Sequence, residues 1–147
     1  MFKRIVYRDL NSRQQEAFNF QKVSAVLADY GFITIRLSSD WGGADFIAQH
    51  CDGEFLKVQL KGRLTFDKKY EGRDLHVCFP DGDEWFLYPH DTLLREVLNS
   101  SNIGTTESWK VNGGYSFPHL SERMRQMLGP HRLTAEKSCG AVATATS

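Results

Sequence analysis

Three β-rich runs follow one another between residues 32 and 61, with no connection long enough to hold a crossover. Residues 32–37 are rich in β-branched side chains, 44–49 follow a glycine pair, and 54–61 follow a polar turn at 51–53. Parallel neighbours need a dozen or more linking residues, so strands joined this closely must pair as an antiparallel meander. A helix precedes them. Ser12 reads as its cap, with Gln15 three residues on to close a capping box, and Gly31 as its stop after about Tyr30. Phe20, Val23, Leu27 and Tyr30 form an apolar stripe at helical spacing. One turn earlier the stripe meets Glu16, a carboxylate at a position predicted to be buried.

Downstream, residues 62–73 are polar and rich in lysine and arginine. A hairpin is predicted over 75–79 and 85–88, its turn carrying Asp81, Asp83 and Glu84, which lack the ligand series of a calcium loop. A helix over about 92–98 follows, with Leu93, Leu94, Val97 and Leu98 as its apolar side. Residues 99–114 read as a long loop, and 117–128 as a last helix that Ser121 can cap. The small-residue stretch 131–147 reads as a disordered tail, leaving 1–130 as a single domain. A chain of 147 residues is long enough for a core without staples.

Composition excludes several classes. Cys51, Cys78 and Cys139 are odd in number and scattered, and the five histidines (His50, His76, His90, His119 and His131) have no metal-ligand spacing. That argues against a disulfide framework and a zinc site. No apolar run suits a signal peptide or a membrane span, so a cytoplasmic protein is expected. Residues 113–118 lack the lysine of a phosphate-binding loop. Eighteen basic residues balance eighteen acidic ones, so any attraction for nucleic acid has to be local. It is local in residues 57–73, where Lys57, Lys61, Arg63, Lys68, Lys69 and Arg73 outnumber Asp67 and Glu71 by four. Phe66 and Tyr70 interleave them, as in a loop that contacts phosphates and stacks bases.

Chemistry concentrates in the third strand. Alternation sends Leu56, Val58 and Leu60 to one face and Lys57, Gln59 and Lys61 to the other. The meander brings Asp45, at the start of the second strand, beside Gln59 and Lys61. A carboxylate, an amide oxygen and a lysine at a strand end suit phosphodiester hydrolysis. Asp45, the Gln59 side chain and the Leu60 carbonyl would offer oxygens to Mg²⁺ or Mn²⁺. Lys61 would orient water and stabilise charge on the phosphate, and Glu16 would support the site from the helix. Trp41, beside the glycine pair, could wedge against a substrate but reads first as an anchor for its loop.

Asp45, thirteen intervening residues, then Gln59-Leu60-Lys61 resembles the PD-(D/E)XK nuclease motif. That resemblance implies a restriction-endonuclease-like α/β core in the order helix, three strands, helix, strand. It covers about residues 12–98. Ala44 stands where the motif has proline, and Gln59 where Asp or Glu is usual, a Gln-x-Lys form that resembles the Mrr-like branch. The resemblance implies a Mg²⁺-dependent endonuclease acting on DNA, and it allows a homodimer, since many such proteins pair to cut two strands. The alternative is a catalytically inactive module of the same fold that binds DNA or a protein partner. Gln59 favours that alternative, because it removes one negative charge from the metal site.

Overall fold

The structure is a computed structural model and describes residues 1–134. Helix α1 (Ser12–Asp29) is capped by Asn11, one residue earlier than predicted. The Asn11 side chain accepts from the Gln14 N–H at 2.9 Å while the Gln14 side chain accepts from the Asn11 N–H at 3.0 Å, so the capping box is built from this pair. The helix gives way at Gly31, whose φ of +88° is the left-handed conformation glycine tolerates.

The meander forms as expected and is longer than predicted. Strand β1 (Phe32–Trp41) runs on to a two-residue turn at Gly42 and Gly43, and β2 (Ala44–His50) and β3 (Phe55–Leu60) complete it. Both turn glycines have positive φ, which suits a tight hairpin. Residues 61–74 then cross to β5 (Leu75–Asp81), which lies parallel to β3. The core order implied by the resemblance places a helix in this crossover. Here it holds a three-residue strand, β4 (Thr65–Asp67), and a 3₁₀ turn, Lys68–Tyr70. Strand β6 (Glu84–Pro89) closes the predicted hairpin, and α2 (His90–Ser100) follows it directly. The six-stranded sheet has the order β1-β2-β3-β5-β6-β8, the last strand being Arg132–Leu133. It is a mixed sheet of the expected α/β type.

The predicted loop 99–114 carries more order than its sequence suggests. A 3₁₀ turn (Ile103–Thr105) and a π-helical turn (Ser108–Asn112) bury Ile103 and Trp109, and β7 (Gly114–Ser116) pairs with β4. Helix α3 is shorter than predicted, Glu122–Leu128, because Pro118 disfavours helical geometry in the residue before it. Ser121 caps it as expected, accepting from the Met124 N–H at 3.2 Å. The predicted tail starts too early. Arg132–Leu133 form β8, paired with Trp85 and Phe86, and the remainder of that tail, from residue 135, lies outside the described residues.

Two cores flank the sheet. On one face Val23 and Leu27 of α1 pack with Phe46, Ala48, Val58, Cys78 and Trp85. Tyr30 is not part of this core; it is exposed, and its hydroxyl accepts from the Thr134 N–H at 2.9 Å. On the other face Val77, Phe79, Phe86 and Tyr88 meet Leu93, Leu94 and Val97 of α2, with Trp109, Met124 and Leu128 beyond. Leu98 is on the exposed side of α2. This second layer covers β5 and β6; beyond it a small third cluster of Ala44, Tyr70 and Leu75 packs near the ends of β2 and β3, while Ile33, Ile35 and Phe55 are exposed. No helix among the described residues is long and apolar enough to cross a membrane.

Candidate active site

The site lies where the second layer stops. β2 and β3 pair as Gln49–Phe55, Ala48–Leu56, Ile47–Lys57 and Phe46–Val58. One step further the strands part, and Asp45 comes opposite Gln59. There the Asp45 carboxylate does the work of a ladder carbonyl: its Oδ2 accepts the Leu60 N–H at 2.8 Å. The strand ends are thereby held with the carboxylate and the Gln59 amide side by side.

Asp45, Gln59 and Lys61 line two adjoining crevices. One, of about 330 Å³, is walled by Lys69 and Arg73 and has Tyr70 at its base. The other, of about 300 Å³, opens toward Tyr7, Gln15, Glu16 and Asn19 at the start of α1. A larger hollow of about 610 Å³ near Asn99, Tyr115 and Arg123 has no Asp, Glu, His or Cys in its lining to bind a metal or serve as a base.

The predicted site residues separate under this geometry. Asp45, Gln59, Lys61 and Glu16 share a crevice, as do Asp45, Lys69 and Arg73. Lys57 sits two residues before Gln59 on the same strand face. Arg63 lies instead in a different crevice beside Pro80 and Phe117, and the Lys68 ammonium rests 5.2 Å over the Trp109 ring. Those two cations do not join the site. The expected stacking aromatics are also absent from the surface: Phe66 and Tyr70 are buried in the hydrophobic cores. Glu16 is not on a buried stripe. Its side chain is half exposed and pairs with Arg36 at 3.3 Å, at the rim of the crevice it shares with Asp45.

Tyr70 sets the charge geometry of the cationic crevice. The ammonium of Lys61 lies 5.7 Å from its ring centre and that of Lys69 5.3 Å, so one aromatic ring holds both cations. Burial raises the Tyr70 phenol above its ordinary pKa, which keeps it neutral. The Asp45 carboxyl is also pushed up, by burial first and then by Glu16 and Asp40. The Leu60 N–H and Lys61 pull it the other way without cancelling the rise.

The crevice wall is fixed from beneath by a buried imidazole. His90 is fully buried at the start of α2. Its Nε2 accepts the Asp67 N–H at 3.1 Å, so the ring proton is on Nδ1, facing Asp91 Oδ1 at 2.9 Å. Asp91 Oδ2 accepts the Gly72 N–H at 2.9 Å, so both ends of the 67–72 loop are tied to α2. Partial burial works against the Asp91 carboxylate, but the Gly72 N–H and His90 hold its pKa below the ordinary value.

No family model matches the chain, and no curated protein does. Among the solved structures that resemble it are two nucleases. A Holliday junction resolvase from Archaeoglobus fulgidus aligns at 15% identity and a TM-score of 0.40, over 50% of this chain and 76% of the resolvase. A bacterial homing endonuclease aligns at 16% identity and a TM-score of 0.48, over 84% of this chain and 88% of that one. Both are low-identity likenesses of chain trace, and the chemistry has to be read from this chain's own side chains.

Proposed function

We propose that this protein is a metal-dependent nuclease that hydrolyses phosphodiester bonds in DNA at Asp45, Gln59 and Lys61. The observation that carries this reading is the convergence of a carboxylate, an amide and a lysine at parted strand ends, beside a crevice walled by Lys69 and Arg73. Two crevices meet at these residues, so a strand can continue on both sides of the scissile phosphate, which favours internal cleavage.

The donor set suits a weakly held hard cation. Among the described residues no group of three or more His, Cys, Asp or Glu side chains is arranged to hold a metal. Asp45 Oδ1, the Gln59 side-chain oxygen and the Leu60 carbonyl remain to bind Mg²⁺ or Mn²⁺, ions that accept few protein oxygens when substrate phosphates add their own. Such an ion supplies Lewis-acid charge at the phosphate and lowers the pKa of water. Lys61 stabilises the charge that develops on the phosphate as water adds and the ester oxygen departs. Lys69 and Arg73 hold the flanking phosphates, and Glu16 accepts a hydrogen bond from the incoming water in the adjoining crevice.

Calorimetric titration with Mg²⁺ and Mn²⁺ in the presence of DNA tests the first part. Binding at millimolar metal is expected; none would leave the inactive-module reading, which the neutral Gln59 favours. Lys61→Ala should cut plasmid about 10²–10³-fold more slowly than wild type. Equal rates would place the chemistry elsewhere.

The cationic wall has its own signature. The Lys69→Ala, Arg73→Ala double variant should weaken DNA binding and flatten its salt dependence. The log–log slope should fall by about 0.9 per lost phosphate contact on duplex, or about 0.7 on a single strand. An unchanged slope would remove both residues from the interface.

A further inference from the structure

Trp41 is a large apolar side chain that the fold leaves unpacked at the β1–β2 hairpin tip, between Asp40 and Gly43 in the chain. It is 61% exposed, whereas Trp85 and Trp109 are each 7% exposed. The expected role as a loop anchor therefore does not hold. The hairpin tip is anchored without it: Asp40 Oδ1 accepts the Gly43 N–H at 2.7 Å, and Gly43 lies against Tyr70 and Leu75. Asp40 and Gly43 both line the cationic crevice, so the indole is carried between two of its wall residues. The tip is also built for fixed presentation, since the positive φ of Gly42 and Gly43 closes the turn in two residues.

The open sheet face continues from this point. Register places Asp45 and Gln59 in one cross-strand row, Ile35, Ile47 and Lys57 in the next, and Ile33, Gln49 and Phe55 in the one after. Phe55 is 60% exposed and stands four residues from Gln59 along β3, about 13 Å away. The site is thus flanked by an exposed indole at one end and an exposed phenyl ring at the other. Between them the exposed side chains of Ile33 and Ile35 stand beside Gln49 and Lys57, over a buried Ile47.

We propose that this face, from Trp41 to Phe55, is a stacking platform for an unpaired nucleic-acid strand, so that the substrate is single-stranded or locally opened. The proposal rests on the nuclease reading above and narrows its substrate. Duplex DNA turns its bases inward and presents phosphates, which offer exposed apolar rings nothing to stack on. Unpaired bases present π-faces to aromatic side chains, with nearby cations taking the backbone. Lys57, Lys61, Lys69 and Arg73 provide those cations beside the apolar rows.

Tryptophan emission tests this directly, because Trp41 is the solvent-accessible one of the three. In EDTA, a single-stranded oligonucleotide should quench wild-type emission strongly, and a blunt duplex of the same sequence should quench it little. Trp41→Phe should lose the quench yet bind the strand within about threefold of wild type, since phenylalanine still stacks. Trp41→Ala should bind about 5- to 150-fold more weakly, the worth of one stacked base. Circular dichroism should show both variants folded, as the site is an exposed hairpin tip. Equal quenching by duplex and single strand, or unaltered binding by Trp41→Ala, would overturn the proposal. Emission unmoved by the strand, with a particle mass of two chains, would put a second copy on this face and overturn it too. Strand binding without cleavage in Mg²⁺ would instead remove the nuclease reading and leave the platform standing.

Discussion

Asp45→Asn is expected to abolish cleavage while making the protein more stable. The two effects come from one arrangement. Asp45 is partly buried at the parted ends of β2 and β3, with Glu16 and Asp40 adding negative charge nearby, and its pKa is raised as a result. A carboxyl with a folded pKa above its unfolded value costs the folded state once it ionises. The cost is absent below the unfolded pKa of about 3.9, grows as pH rises through the raised folded value, and is constant above it. Asparagine removes that cost and keeps an oxygen to accept the Leu60 N–H, so the strand ends stay joined. The melting temperature at neutral pH should rise by on the order of 2–4 °C, with no gain near pH 3. Cleavage should fall by about 10³-fold or more, the scale of losing a preorganised charge at the reacting phosphate. Scanning calorimetry at several pH values and a supercoiled-plasmid nicking assay check the two halves separately. Retained cleavage would remove Asp45 from the chemistry. A lower melting temperature would mean that the carboxylate stabilises the fold.

The parts of this site that sequence revealed are those set by local periodicity. Alternation alone separates Val58, which meets α1, from Gln59, which faces the crevice, and short connections alone require the meander that brings Asp45 to Gln59. What sequence misassigned depends on contacts between distant segments. Glu16 falls on the apolar spacing of α1 yet is half exposed, because Arg36 meets it from β1, twenty residues away. Phe66 and Tyr70 look like exposed aromatics among lysines, yet packing against His90 takes them into the interior. Trp109 gives order to a segment with no readable period by filling the core beyond α2. Trp41 shows the opposite error, an indole expected to pack and left in solvent. A signal for it was present: Asp40 and the glycine pair already supply a self-contained turn, leaving the indole no anchoring role.

His90→Leu should have the largest structural effect of any single change near the site. The imidazole is fully buried and serves two polar partners, the Asp67 N–H and the Asp91 carboxylate. Leucine fills most of the space and satisfies neither. Leaving the part-buried Asp67 N–H unpaired costs up to about 1–3 kcal/mol, and the half-exposed Asp91 carboxylate loses its imidazole partner. The melting temperature should therefore drop by on the order of 10 °C. The functional consequence follows from what the loop carries. Asp67 caps the 3₁₀ turn by accepting the Lys69 N–H at 3.0 Å, and Asp91 holds Gly72 at the loop's other end. Once these ties are loosened, Lys69 and Arg73 lose their fixed positions, and DNA binding should weaken with the flattened salt dependence expected of their alanine variants. His90→Gln separates anchoring from mere filling, since its amide oxygen can accept the Asp67 N–H. It should recover part of both the stability and the salt slope. A His90→Leu protein that melts and binds DNA like wild type would show that the crevice wall holds itself in place, and the link from α2 to the site would be gone.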